Sequence, residues 1–239
     1  MKISIILPSY NEAGNIDKLI FKIITVFKDA PYTLEFIVID DNSPDGTAKV
    51  ISRLIKKKLP VRLFVRKNQR GLATAILRGL KKATGETIVL MDTDFNHQPK
   101  DVLRLVKNLE QKNADIVIGS RYISQGGMHK SEAGTLQFFA SKYGSLLVSK
   151  ILLKLPVNES LSGFLALKKT CLNKLNLDQI FQGYGEYCIR LLYHLYKQNF
   201  ILTEIPVVYG KRQYGVSKSR LYKMFIEYFK TALSLKFKP

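Results

Sequence analysis

The sequence predicts an α/β protein: a mostly parallel sheet with helices on both faces. Two observations carry this. Five apolar runs, Ile3–Leu7, Leu34–Ile39, Val61–Val65, Thr87–Leu90 and Ile116–Ile118, alternate with amphipathic segments. That order gives parallel strands joined by crossover helices. The runs also end in acidic or turn-forming residues, Asp40-Asp41 after the second and Asp92-Thr93-Asp94 after the fourth. At 239 residues the chain is long enough for one α/β domain with a tail.

Each element has a local reason. Ile3–Leu7 is a first strand, and Asn11 is placed to cap a helix reaching about Lys28, with Glu12 and Asp17 near its start. After the second strand, Ser43-Pro44-Asp45 reads as a helix start, Ser as cap and Pro in the first turn, with the helix running to about Lys57. Gly71–Ala83 and Pro99–Leu109 are the next helices. Beyond Arg121 the pattern changes. Residues 124–134 are rich in Gly, Ser and Lys and read as a mobile loop. Leu136, Phe139, Tyr143, Leu146, Leu147 and Ile151 then fall at helical spacing. Tyr184–Gln198 is a helix, Ile201–Val208 a strand and Leu221–Leu235 a last helix. No internal repeat is present, and residues 1–218 are expected to form one catalytic domain, with 219–239 as a basic amphipathic helix.

Charge narrows the partners. Lys and Arg number 38 against 19 Asp and Glu, a net +19. Anionic partners follow: nucleic acid, phosphorylated substrates or an acidic membrane face. No helix-turn-helix, aromatic stacking strip or RNA-binding signature accompanies the charge, so nucleic acid is not expected. Cys171 and Cys188 lack metal or redox spacing, which points to a reduced, cytosolic setting. The first strand begins by Ile3, so no secretory signal is expected, and no apolar stretch nears the ~20 residues of a spanning helix.

The chemistry concentrates at strand ends. Alternate residues of an extended strand point the same way, so Asp92 and Asp94 face one side at the exit of the fourth strand. Two convergent carboxylates suit a hard divalent cation; a solvated acidic turn is the competing reading of this segment alone. Polar loops also follow the first strand (Pro8-Ser9-Tyr10-Asn11-Glu12), the second (Asp40 to Thr47) and the fifth (Gly119-Ser120-Arg121-Tyr122). In a parallel sheet these ends share one edge, where ligands bind. Turn chemistry explains any one loop but not all of them together. No Gly-rich dinucleotide turn and no P-loop occur. A bound nucleotide would then meet metal and basic side chains.

These residues carry a resemblance. The chain resembles the family 2 glycosyltransferases with a GT-A-type nucleotide-sugar-binding fold, and among them the polyprenyl-phosphate (dolichol-phosphate) mannosyl- and glucosyltransferases. It extends from Ile3 to about Lys218. Its carriers are the strand-end loops above, Arg70-Gly71-Leu72-Ala73-Thr74-Ala75, Met91 to Pro99, Ser162-Gly163-Phe164 and Arg212-Gln213-Tyr214-Gly215-Val216-Ser217-Lys218. The last is the more specific for the polyprenyl-phosphate branch.

The resemblance implies an inverting, metal-dependent transfer of a hexose from a nucleotide sugar, GDP-mannose or UDP-glucose, to a polyprenyl phosphate. It implies that Pro8, Tyr10, Glu12, Asp40 and Asp41 serve the donor. Asp92 and Asp94 would bind Mg²⁺ or Mn²⁺, with Asn96 where the family often has Gln. Arg121 would meet the acceptor phosphate, and Arg212, Ser217 and Lys218 the donor diphosphate. The place implied is the cytosolic face of a membrane; the sequence leaves open whether a membrane-anchoring subunit is needed. Family members often add C-terminal spanning helices; none is expected here.

Some positions depart from the family pattern. Glu159 stands where Asp is usual, Leu165 where Arg is frequent, and Arg190 where an acid is usual, with Glu186 one turn earlier. These leave open a family 2 enzyme acting on a hydroxyl acceptor in polysaccharide or glycolipid synthesis, which needs a general base. His97, His129 and His194 each stand alone and read as surface or packing residues. A phosphate nucleophile is already anionic and needs no such base. The segments Leu136–Leu155 and Leu221–Leu235 carry lysines beside aromatic residues, among them Tyr222, Phe225, Tyr228 and Phe229 in the second, with Phe237 just beyond it. Each is read either as a core-facing helix or as one lying at a membrane interface.

Overall fold

A computed structural model describes residues 1–129, 135–210 and 221–237. The chain runs β1 (Lys2–Ser9), α1 (Ile16–Val26), β2 (Thr33–Asp40), α2 (Thr47–Lys56), β3 (Val61–Val65), α3 (Leu72–Leu80), β4 (Thr87–Leu90), α4 (Pro99–Gln111) and β5 (Ile116–Ser120). A short β6 (Gly127–Met128) and α5 (Thr135–Leu146) follow, and α5 passes into a π-helical turn, Leu147–Leu152. Then come β7 (Leu165–Lys168), a 3₁₀ turn, α6 (Leu177–Ile180), α7 (Glu186–Lys197), β8 (Leu202–Pro206), β9 (Val208–Tyr209) and α8 (Leu221–Phe237).

Seven strands form one sheet in the order β3-β2-β1-β4-β7-β5-β8. All neighbours are parallel except β7, which runs antiparallel to both β4 and β5. β4 and β5 therefore still point the same way, and the ends of β1, β2, β4, β5 and β8 share one edge. Alternating residues fill two cores. Ile6, Ile37, Ile39, Ile88 and Leu90 pack toward α3, α7 and α8. Ile3, Ile5, Phe36, Val38 and Val89 pack with Leu19, Ile20 and Leu105 of α1 and α4. Strands buried on both faces read as continuous Ile/Val/Leu runs, which is the parallel-sheet signature.

The structure corrects several local expectations. Asn11 does not cap a helix: it sits at φ 61°, and α1 begins five residues later, at Ile16. Ser43 does not cap α2 either, because its hydroxyl donates to Asp40 and accepts from the Asn11 amide. The cap position falls to Gly46 at φ 89°. The expected strand over Ile201–Val208 is divided into β8 and β9, and β9 leaves the main sheet to pair with β6. β6 in turn lies within the segment expected to be loop. The helix expected to reach Leu155 ends at Leu152, with Lys154 at φ 52°.

Candidate active site

Strand register brings the first two loops together. Ser9 lies opposite Asp40 across β1 and β2, so Tyr10 continues beside Asp41. The loops are stitched to each other: Asn11 N–H donates to Ser43 Oγ (2.9 Å), Glu12 N–H to Thr47 Oγ1 (2.9 Å) and Ala13 N–H to Asp45 Oδ2 (3.0 Å). Asp45 also accepts from the amide and hydroxyl of Thr47. Against the opposing effect of burial, these bonds hold its carboxyl below the usual range. Asp40 is fully buried and accepts from the Ser43 amide at 3.0 Å. Asp41 is bridged by the buried Arg66, whose Nε lies 2.6 Å from Oδ1, and it accepts from the Gly71 amide at 2.9 Å. Arg66 reaches on to Thr74 and the Gly71 carbonyl. The second loop is therefore a rigid shelf. Tyr10 stands half-buried on its rim, with the Arg70 guanidinium over its ring at 4.6 Å.

β4 delivers the acidic pair. Leu90 lies opposite Ile6, which sets Asp92 beside the Pro8 loop, and Thr93 Oγ1 meets the Pro8 carbonyl at 3.5 Å. The Asp92 side chain is 45% exposed. Asp94 is buried; its Oδ1 accepts from the Asn96 amide at 3.0 Å across Phe95, which sits at φ 69°. The buried Oδ1 of Asn96 has no hydrogen-bond partner among the described residues. A buried oxygen left unserved in this way is uncommon. Together with the two carboxylates it makes an all-oxygen donor set that fits a hard cation. No group of three or more His, Cys, Asp or Glu gathers among the described residues. Such a cation would complete its shell with phosphate oxygens and water, as Mg²⁺ commonly does.

His97 is buried under this turn. Its Nδ1 accepts the Asp92 amide proton at 2.9 Å, and its Nε2 meets Tyr209 Oη at 2.9 Å. The ring stacks on Phe164 at 4.5 Å. Burial drives its pKa down to about 3, against the pull of Asp94. The ring is neutral, so its 3.9 Å approach to Asp92 Oδ2 is not an ion pair.

Arg121 directly follows β5, and its guanidinium is nearly buried. Nε and Nη2 donate to the two oxygens of Glu159, at 3.0 and 2.6 Å, and the backbone amide adds a third bond at 3.1 Å. The rings of Tyr122 and Tyr209 lie under it at 4.8 and 4.5 Å. Burial works against its charge, but Glu159 overcomes this and raises its pKa. Glu159 is held in turn by Glu204, which accepts from the amides of Asn158 and Glu159. Part of the fork that the sequence directs at a phosphate is thus engaged by Glu159; the other guanidinium N–H groups remain beyond those two bonds.

The structure gathers Pro8, Tyr10, Glu12, Asp40, Asp41, Asp92, Asp94, Asn96 and Arg121 along one edge. Arg212, Ser217 and Lys218 lie outside the described residues. Sequence reasoning missed Arg66 and the roles of Tyr209, Glu204 and His97. Tyr209 immediately precedes the Gly210–Lys218 segment, the one signal that could have drawn attention to it.

An α/β sheet of this topology, with acidic and basic residues gathered at its strand-end edge, has the GT-A type of fold. The comparisons agree, and the chain belongs to glycosyl transferase family 2, whose model matches residues 4–160. Among its relatives is the dolichol-phosphate mannosyltransferase of Pyrococcus furiosus, 33% identical over 220 residues. The match covers 91% of this chain and 59% of that protein, so the chain spans about three-fifths of that relative. The Saccharomyces cerevisiae dolichol-phosphate mannosyltransferase is 29% identical over 219 residues, covering 90% of this chain and 80% of its own. Among solved structures, glucosyl-3-phosphoglycerate synthase from Mycobacterium tuberculosis with Mn²⁺, UDP and glucosyl-3-phosphoglycerate shares the fold at TM-score 0.73 and 24% identity. That match covers 100% of this chain and 81% of the other. The same enzyme with Mg²⁺ and UDP gives a TM-score of 0.69 at 23% identity, covering 100% and 80%.

Proposed function

We propose that this glycosyltransferase moves a hexose, with mannose from GDP-mannose favoured, onto a polyprenyl or dolichyl phosphate, with inversion, at the cytosolic face of a membrane. The observation that carries the reading is the pairing on one edge of an oxygen-donor turn, Asp92, Asp94 and Asn96, with the buried cation Arg121. Nearby, His97 has both ring nitrogens committed. An imidazole held this way is not available as a base. A hydroxyl nucleophile would need one, whereas a phosphate is anionic already.

Asp92, Asp94 and the amide oxygen of Asn96 would hold Mg²⁺ or Mn²⁺. When bound, that ion neutralises the charge developing on the leaving diphosphate. Pro8, Tyr10, Glu12 and the shelf built on Asp40 and Asp41 would position the nucleoside. Arg121 would orient the acceptor phosphate with the donors that Glu159 leaves, its plane fixed beforehand by Glu159 and Tyr209. Preset orientation of this sort contributes because the geometry is not reorganised during reaction. Arg212, Ser217 and Lys218 are proposed, on the resemblance, to meet the donor diphosphate.

The membrane part of the reading rests on two helices. No helix among the described residues is long and apolar enough to cross a bilayer. The helix of α5 and its π turn instead exposes Phe139, Tyr143, Leu147 and Ile151, at 43, 65, 40 and 64%. Their i, i+4 spacing puts them on one face, with Lys150 and Lys154 also exposed. The α8 helix exposes Ile226, Phe229 and Phe237 while Tyr228, Ala232 and Leu235 are buried in the core formed with α7 and the π turn. The proposed division is a catalytic unit of 1–218 followed by a C-terminal amphipathic segment, 219–239, whose described helix α8 is anchored by Tyr228, Ala232 and Leu235. Exposed aromatic and basic stripes are what an interfacial helix presents to anionic lipid.

A donor screen tests the reading: GDP-mannose against UDP-glucose, with polyprenyl phosphate and Mn²⁺. Formation of a glycosyl-phosphoryl lipid from GDP-mannose is expected. Transfer only to hydroxyl acceptors overturns it.

A further inference from the structure

We infer that His97 and Tyr209 are positioning residues that set the metal-side carboxylate and the acceptor-side cation from one buried hydrogen-bond chain. The inference rests on the proposed role of Asp92 in holding a divalent cation. Its basis is direction. A backbone N–H can only donate, so His97 Nδ1 must accept from Asp92 and the ring proton must sit on Nε2. Nε2–H then points at Tyr209 Oη. Tyr209 Oη also hydrogen-bonds with Ser162 Oγ, where either hydroxyl can donate, and Ser162 accepts from the Phe164 amide at 3.1 Å. The direction is fixed from the Asp92 amide through His97 to Tyr209, and the chain continues to Ser162.

The same phenol ring carries the Arg121 guanidinium on its face at 4.5 Å. Tyr209 is therefore the shared support of both halves of the site. His97, at 2% exposure, stacks on Phe164 and meets the Tyr209 ring edge-on, so its ring is held by packing as well as by its two hydrogen bonds. The β9 strand is itself tied to the acidic turn, since the Gly210 amide donates to the Asn96 carbonyl at 2.9 Å. A side chain at Gly210 would collide there: its Cβ would fall 2.8 Å from the Phe95 carbonyl oxygen. Outer partners that orient a ligand group commonly change metal affinity by about 10–100-fold when removed.

The test exploits the two nitrogens. Asn places an oxygen where Nδ1 was and keeps the Asp92 bond. Gln places a donor near Nε2 and keeps the Tyr209 bond, and Phe keeps only the stack. Mn²⁺ affinity is read by electron paramagnetic resonance with saturating GDP or UDP, beside kcat and acceptor KM and a thermal melt. Expected are a roughly 10-fold or greater loss of Mn²⁺ affinity in His97→Phe and His97→Gln and its recovery in His97→Asn. Tyr209→Phe is expected to raise acceptor KM several-fold while keeping the ring under Arg121. A purely structural role would lower the melt in all variants without this Asn-against-Gln split. Should His97→Phe fail to fold, the Asn, Gln and Tyr209→Phe variants carry the result. If Asp92→Asn loses Mn²⁺ but Gln and Asn variants at position 97 both bind like wild type, the inference is wrong and the metal reading stands. If Asp92→Asn binds Mn²⁺ as wild type does, both fall.

Discussion

At the edge where the strands begin, the Glu35 carboxylate accepts from the Ser4 hydroxyl, the Thr84 amide and hydroxyl, and the Gly85 amide, with Lys2 and Arg62 at 3.3 and 3.5 Å. At the edge where they end, Asp92 is half open and the neighbouring Asn96 oxygen is buried without a hydrogen-bond partner among the described residues. Both carboxylates sit beside β1. The chain surrounds the first with its own donors, whereas around the second it gathers oxygens. The contrast teaches how to tell a carboxylate that holds the fold from one turned toward a ligand: Glu35 is 6% exposed among its donors, Asp92 45%.

The largest expected effect breaks that contrast if it fails. Asp92→Ala and Asp94→Ala should each lower transfer by about 10³-fold or more, since charge stabilisation at the leaving group is lost. Asp92→Ala should leave the melting temperature near wild type, because its side chain is half solvated already. An Asp94→Ala protein with full activity, or full activity in excess EDTA, would remove this edge from the chemistry.

Glu35→Ala should do the reverse, costing roughly 3 kcal/mol of stability with kcat of the folded enzyme unchanged. Burial pushes the Glu35 pKa up, but bonds from Ser4 and Thr84 and the charge of Lys2 prevail and bring it down to about 2. A depressed carboxyl stabilises the native state above its unfolded value, here 4.5. That contribution disappears as pH falls from about 4.5 toward 2. Denaturant melts of wild type and Glu35→Gln should therefore differ at pH 6 and converge near pH 2. Parallel curves through that window would show that Glu35 is not the clasp.

Much of this was legible in the chain because parallel strands announce themselves. Ile3–Leu7, Leu34–Ile39 and Thr87–Leu90 are apolar on both faces and stop at polar residues. β7 was not legible. It is a four-residue strand that follows Ser162-Gly163-Phe164, and it is in the sheet because Leu165–Lys168 pairs antiparallel with β4 and β5, both distant in the chain. Spacing alone puts Asp92 and Asp94 at the end of the fourth strand. The state of Asp41 could not be read in this way, since Arg66 is one basic residue among 38. His97 reads in sequence as a packing residue, and it is packed; only coordinates reveal which nitrogen serves Asp92.

Arg121 sharpens the comparison because its partner Glu159, like Glu35, is filled by the chain's own donors, yet the pair lies at the functional edge. Lys keeps the charge but cannot form parallel bonds to both oxygens of Glu159. Arg121→Lys should therefore fail on both counts, with a lower melt and a loss of about 10–100-fold in kcat/KM for the acceptor. Unchanged acceptor kinetics would assign the pair to the fold alone.

The smallest effect concerns neither edge. Tyr143 and Ile151 are 65 and 64% exposed on the α5 face, so Tyr143→Ser with Ile151→Ser should change stability by no more than about 0.5 kcal/mol. The helix itself reaches the site through Ser141, whose hydroxyl meets Tyr122 Oη at 2.7 Å, whereas Tyr143 and Ile151 face solvent. Transfer to a short, water-soluble polyprenyl phosphate should be unaffected. Immersing such side chains in the acyl boundary is worth up to roughly 1.5–3 kcal/mol each when burial is complete, and only part of that is gained at an interface. Binding to anionic liposomes should therefore weaken by about 10-fold, and transfer to a long-chain acceptor in those liposomes should fall with it. Deleting α8 would be a poorer test, because Tyr228, Ala232 and Leu235 belong to the core and their loss would unfold what is being measured. Equal liposome binding by the double variant and wild type would mean that the α5 face is not what meets the lipid, and the membrane assignment would have to rest on α8 or on charge alone.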